Sequence, residues 1–412
     1  MGRTLWYALN LNRYHKVDPL GNEKADFVAN LETYASLHGN DREKMHVSAV
    51  KLYSQGYFPE ACEVWEKILD DYPKDLVALK LALDAYIYLS HWRQFRDTVA
   101  KVYPDWPPDS PYYSYLTGFL AFGFQETSFH EKGLRLGMEA LARTPEDSWA
   151  VHAVAHVYEE TGRSLEGDRF MERWEQHWAP NSLLACHNYW HWALFHVEEG
   201  NYEAALNIFD NEVGRRARAS GAVTSAQDAA SLLLRLEMEG VNVGGRWIDL
   251  DDTFGSYADQ PLKAYPFSNI HLLLTYAGAG NLDCAQKFLK SLKTQCEYLP
   301  GYTPKMMKSL GFNICESILA YKETRNSDVV QLLRPVEHAV SRIGGSHAQR
   351  DMFRQMLIHS CFLSQDRADQ TVGKRLLFQR KTMRPVSTLT NRLVAKYLDP
   401  NDQEAIDRSV II

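Results

Sequence analysis

Gly56-Tyr-Phe-Pro-Glu-Ala-Cys-Glu-Val-Trp-Glu-Lys-Ile-Leu-Asp-Asp-Tyr-Pro73 decides the fold. Its fixed points are Gly56, Ala61, Trp65, Ile68 and Pro73. Adding 34 residues to the last four lands on Phe95, Val99, Val102 and Pro107. The residues before the glycine return as well: Ala49 and Leu52 come back as Leu83 and Tyr86. A fixed period of this length marks a stack of helical hairpins. Glycine closes the turn between two antiparallel helices, and proline ends the second one. One hairpin can cover only part of its apolar surface, so each unit must stack on the next.

The spacing small-x3-large-x2-apolar, with proline five residues on, is the second half of a tetratricopeptide unit. Further units follow. Ala121, Gly133, Gly137, Ala140 and Pro145 form a third, and Ala155, Tyr158, Gly162, Gly167, Met171 and Trp174 a fourth. Ala193, Gly200, Ala205 and Phe209 form a fifth; Gly280, Ala285 and Leu289 mark a later one. The chain therefore reads as all-α, a right-handed α-solenoid of degenerate repeats. Residues 1–41 read as an apparently shortened N-terminal helical segment and 42–395 as the solenoid, with a polar, fraying tail over 396–412. The clearest repeats span about 42–75, 76–109, 114–147, 148–181, 186–219 and 266–299. Residues 212–225 and 241–263, rich in Gly, Asp and Ser, read as longer loops. Nothing reads as a sheet.

Bulk properties narrow the function. A net charge of −7 argues against nucleic acid or an anionic membrane as the main partner. The basic stretch Lys374 to Arg392 reads as the solvated face of a last helix. The six cysteines are scattered, with no Cys-x-x-Cys, which suits a reducing, cytoplasmic setting. There is no signal-peptide-like or membrane-length apolar run.

Three segments carry a family resemblance. They are Ser148-Trp-Ala-Val-His-Ala-Val-Ala-His156, Ala185-Cys-His-Asn-Tyr-Trp-His-Trp-Ala-Leu194 and Gly344-Gly-Ser-His-Ala-Gln-Arg-Asp351. The chain resembles the tetratricopeptide repeat protein 38 family from about residue 45 to about 395. Two departures stand out: the family's N-terminal region is shortened here, and His347 stands where the family tends to carry Asn. The resemblance implies an α-solenoid of degenerate repeats and no established activity.

In tetratricopeptide arrays, positions 2, 5, 6, 9, 12 and 13 of each unit face the concave groove. Turn glycines at position 15 set the register. Gly162 then places His152, His156, Glu159 and Glu160 on the groove, and Gly200 places His187, Trp190 and His191 there. The same count places His46, Lys80, Asp84 and His271, with Glu126 near position 13 of the less secure third unit. Each histidine pair, His152 with His156 and His187 with His191, is one helical turn apart and points one way.

Three readings of the histidines stay open. The imidazoles can be structural, bonding across helices. They can line a groove for a peptide or small polar ligand, with Trp190 as a stacking wall. Or they can do chemistry: His with Glu as an acid–base pair, or His152, His156, His187 and His191 as ligands of one metal ion. No cofactor is otherwise expected. His-Ala-Val-Ala-His lacks the protease glutamate, and phosphate-loop, dinucleotide and serine-elbow motifs are missing. The leading expectation is a binding or adaptor protein, with oligomerisation possible through uncovered end repeats. Arg350 and Asp351 read as capping or inter-repeat ion-pair residues.

Overall fold

The computed structural model describes residues 22–180, 184–260, 262–403 and 406. The expected helical segment at 1–41 is thus described from residue 22 on; residues 1–21 and 407–412 lie outside the described residues.

After α1 (Asn22–His38), helices alternate down the chain in antiparallel hairpins. They are α2 (Asp41–Ser54) with α3 (Phe58–Asp71), α4 (Leu76–Leu89) with α5 (Trp92–Val102), and α6 (Tyr113–Glu126) with α7 (His130–Arg143). Next come α8 (Ser148–Glu160) with α9 (Ser164–Trp178), and α10 (Ala185–Glu199) with α11 (Tyr202–Ile208) and α12 (Gly214–Ser220). Then follow α13 (Val223–Met238) with α14 (Arg246–Phe254), and α15 (Pro266–Gly278) with α16 (Leu282–Tyr298). The C-terminal part holds α17 (Tyr302–Met306), α18 (Phe312–Lys322), α19 (Asn326–Leu333), α20 (His347–Leu363), α21 (Arg367–Met383) and α22 (Thr388–Tyr397). No strand occurs among the described residues. The molecule is an α-solenoid of helical hairpins.

Local chemistry explains the hairpins. The turn glycines Gly56, Gly162, Gly200 and Gly280 all take positive φ, between +68° and +83°. Where the period puts serine in that place, the backbone is the same: Ser90 has φ +54° and Ser128 +67°. Ser128 thereby fixes the register of the third unit. Proline and aspartate work together between units. After Pro73 and Pro145, Asp75 and Asp147 accept backbone N–H bonds from the first turns of α4 and α8.

Two expected loops differ. Helix continues through Ser220, with a wide turn at Phe209–Val213 linking α11 to α12. Gly214, within the expected loop, is a packing glycine: a Cβ there would lie 2.7 Å from the Phe209 ring. Likewise α14 occupies much of 241–263. The tail also packs in part: Pro400–Gln403 is helical and Ile406 is fully buried.

The solenoid curls until its last helices lie against the inner side of its first ones. The Tyr302 N–H donates to the Gly56 carbonyl at 2.9 Å. Ser90 Oγ donates to the Gly345 carbonyl at 2.7 Å, and Arg235 Nη2 to the Ala348 carbonyl at 2.6 Å. Arg392 donates to the Val197 and Glu198 carbonyls at 2.8 and 2.7 Å. Gly344, at φ +101°, allows the close approach, since a Cβ would sit 2.6 Å from the Tyr88 carbonyl oxygen. The basic stretch from Lys374 to Arg392 is therefore a solvated face only in part, at Lys374 and Arg375. Arg380 is buried, Arg384 pairs with Glu160 and Arg392 with Glu239, because these cations meet the carboxylates of earlier repeats.

Candidate functional site

Consecutive inner helices α8 and α10 each present two histidines one turn apart, and the four meet. One ligand-capable atom from each of His152, His156, His187 and His191 lies within 4.8 Å of the others. His152 Nε2 is 2.9 Å from His156 Nε2 and 3.1 Å from His187 Nε2. Phe122 stacks on His152 at 4.8 Å, and Trp190 stacks on His187 at 5.1 Å. The walls are apolar, and His156 and His191 are fully buried. His187 has the most access, with 15% of its side chain exposed.

A carboxylate stands behind three of the rings. His187 Nδ1 is 2.8 Å from Asp228 Oδ1, on α13. His191 Nδ1 is 2.9 Å from Glu159 Oε2, on the last turn of α8. His156 Nδ1 is 3.1 Å from Glu126 Oε1, on α6, at an angle that falls short of a hydrogen bond. A carboxylate accepts a proton from Nδ1, which leaves Nε2 of the neutral ring as a bare lone pair. Two of the rings are held neutral. Burial, then the neighbouring imidazoles, hold His152 and His191 well below the usual imidazole range. Burial alone would raise Glu126, but the contact with His156 brings it below the ordinary carboxylate value. Glu159 goes the other way: burial, then the charge of Glu160, pushes it up to about 8. Glu159 thus carries a proton near neutrality, which positive charge at Nε2 would expel, leaving the carboxylate to accept from Nδ1–H.

Inward-facing lone pairs cannot satisfy one another. His156 and His187 both approach His152 Nε2, which has at most one hydrogen to give. His152 Nδ1 and His191 Nε2 are buried without a hydrogen-bond partner. For a buried polar cluster this is an unbalanced account, and a cation would balance it.

The other expected groove residues divide. Glu126, Glu159 and Trp190 join the histidines. Trp190 is fully buried, with one face taken by His187 and its Nε1–H donated to Ser231 Oγ at 2.8 Å, so it is a supporting wall and not an open platform. Glu160 turns to Arg384, 3.0 Å away. His46 pairs with Asp75 at 2.9 Å, back in the first unit. Lys80 and Asp84 pair with each other along α4, the lysine 45% exposed. His271 is buried apart from the cluster, its Nδ1 2.8 Å from the Phe267 carbonyl, and burial lowers it to about 3.

Sequence reasoning missed Asp228 and Arg235, which lies 5.4 Å over the Trp190 ring. A signal existed: Asp228, Ser231 and Arg235 form a polar stripe at three- and four-residue steps on α13, where the residues between them are Ala and Leu. Asp351 does make an inter-helix ion pair, with Arg380 Nη2 donating to it at 2.9 Å.

No helix among the described residues is long and apolar enough to cross a membrane. No family model matches the chain. Among solved structures it is similar to the crystal structure of the yeast Tom70, at 12% identity over 98% of this chain and 96% of that chain, with a TM-score of 0.31. A likeness at that level adds nothing to the fold, which stands on the chain's own hairpins and turn geometry.

Proposed function

We propose that this helical-repeat protein is a metal-binding protein. Its inner surface holds one divalent transition-metal ion on His152, His156, His187 and His191. One observation carries the reading: carboxylates on Nδ1 aim imidazole Nε2 lone pairs at a common point inside an apolar shell. Carboxylate–histidine–metal relays of this kind fix the tautomer and raise ligand basicity. An all-imidazole set suits zinc, iron, copper or nickel over calcium or magnesium, which favour oxygen ligands. For zinc, bonds of about 2.0–2.1 Å imply nitrogen separations of about 3.3 Å in a tetrahedron. The 2.9 and 3.1 Å separations here lie just below that value, and all four ligand atoms lie within 4.8 Å of one another.

The peptide-groove reading is less favoured, because the curled C-terminal helices cover the inner face and the histidines are almost wholly buried. An enzymatic role for the same ion is the second reading, favoured by the partial exposure of His187. Membership of the tetratricopeptide repeat protein 38 family and a cytoplasmic setting belong to this proposal. The second is supported by six thiols, five of them buried.

Cobalt(II) titration tests the reading. The chelator-treated protein should develop the intense visible absorption of a tetrahedral nitrogen site, saturating at one ion per chain. His156→Ala should abolish it. A pale octahedral spectrum, unchanged by that substitution, would refute the site.

A further inference from the structure

A second polar feature lies across the end of α8 from the histidines. It is a cavity of about 260 Å³ between that helix end, α20, α21 and the 3₁₀ stretch Arg334–Ile343. Four guanidinium groups and three carboxylates line it. Three pairs cancel: Arg384 with Glu160 at 3.0 Å, Arg380 with Asp351, and Arg354 with Glu337 at 3.7 Å.

Arg350 is left over. Its Nη1 donates to the Gly345 carbonyl and, at 3.0 Å, to Ser90 Oγ, and both acceptors are neutral. The side chain belongs to a residue only 8% exposed, and among the described residues no carboxylate comes within ion-pair range. Glu126 and Glu160 attract it from farther off, yet burial still holds the guanidinium below its ordinary value, and an anion in the cavity would offset that cost. Arg350 also sits in the first turn of α20, a 17-residue helix whose N-terminus adds partial positive charge. The apolar part of the lining includes Leu333, Val340, Phe353 and Met383.

We infer that this cavity binds a small molecule bearing a carboxylate or phosphate group, with the oxyanion on Arg350 and a short apolar part against Phe353 and Met383. The volume falls just under the roughly 300–1,000 Å³ of drug-sized pockets, so the ligand has the size of a small metabolite. The cavity also abuts the metal-binding reading without depending on it. A void of about 30 Å³, room for a water molecule, is lined by Glu159, Asp351 and Arg384. The latter two line the larger cavity as well, and Glu159 backs His191.

Calorimetric titration of the full chain with inorganic phosphate and with butyrate, at ionic strength matched with chloride, tests the inference. Saturable 1:1 binding of at least one probe is expected; phosphate alone assigns a phosphate ester and butyrate alone a carboxylate. Binding should weaken tenfold or more in Arg350→Gln. Met383→Glu, at a position 65% exposed and therefore safe for folding, should weaken it about threefold by repulsion. Binding should survive in His191→Ala, which separates this inference from the metal site. Absence of saturable binding for both probes would overturn it, as would affinity unchanged in Arg350→Gln and Met383→Glu. Loss in His191→Ala alone would assign the anion to the histidines instead and overturn it too.

Discussion

Asp228 shows what one side chain does for the cluster. It touches no other histidine, yet at 2.8 Å from His187 Nδ1 it fixes which nitrogen of that ring faces inward. Asp228→Asn can offer its amide N–H to Nδ1 and so frees the ring to take the other tautomer. Metal affinity should drop roughly 10- to 100-fold while the helical circular dichroism is unchanged; an unaltered affinity in a chelator competition would contradict this role. The turn residues give a test with no link to metal. Ser128 and Thr324 hold φ of +67° and +58° at exposed turns. Left-handed backbone costs a residue with a Cβ about 1–2 kcal/mol relative to the right-handed form, part of which glycine returns as chain entropy. Ser128→Gly and Thr324→Gly should each stabilise by about 1 kcal/mol in urea unfolding; destabilisation by either would contradict the backbone assignment. At this scale the four histidines and Glu159 were legible, because helical spacing alone puts them on one face. Asp228 was not, because its partner lies 41 residues away and no glycine register was assigned to its helix.

The elements are held by charges the sequence misplaced. Arg380 on α21 is 2% exposed and grips Asp351 on α20. Burial alone would raise Asp351, but Arg380 and then Arg384 hold it well below the usual carboxylate range. Removing one partner strands a buried charge, so Arg380→Ala should cost about 3–5 kcal/mol. Replacing both by apolar residues strands none. Arg380→Met with Asp351→Leu should therefore be more stable than Arg380→Ala alone; the reverse order in chemical denaturation would show the pair to be solvated. The hairpins themselves were readable, since Gly56, Gly162, Gly200 and Gly280 declare their turns in sequence and adopt them in the fold. The basic stretch was unreadable for a physical reason: a helix rich in Lys and Arg looks alike whether it faces water or the carboxylates of a distant repeat.

For the whole molecule, curling turns an open concave face into an interior, and this decides its response to acid. His271 and His359 are lowered to about 3 by burial, and His152 and His191 lie well below their ordinary value. In the unfolded chain each takes up a proton near pH 6.5. Below that pH the unfolded state binds more protons than the folded one, so stability falls as pH decreases through this window. The melting temperature of the metal-free protein should drop between pH 7 and pH 5. His271→Phe should lessen the slope by at most about 1.4 kcal/mol per pH unit, one proton's worth; a stability flat over that range would contradict the buried, neutral assignment. Closure was not legible in the repeat pattern, because periodicity reports neighbours in the stack and not contacts more than 200 residues apart such as Arg384 with Glu160. The most direct test of the metal site is elemental analysis of protein reconstituted with zinc and dialysed against metal-free buffer. One ion per chain should be retained by the parent protein and by His271→Ala, and lost from His156→Ala and His191→Ala. No retained ion, or equal retention in all four proteins, would contradict it.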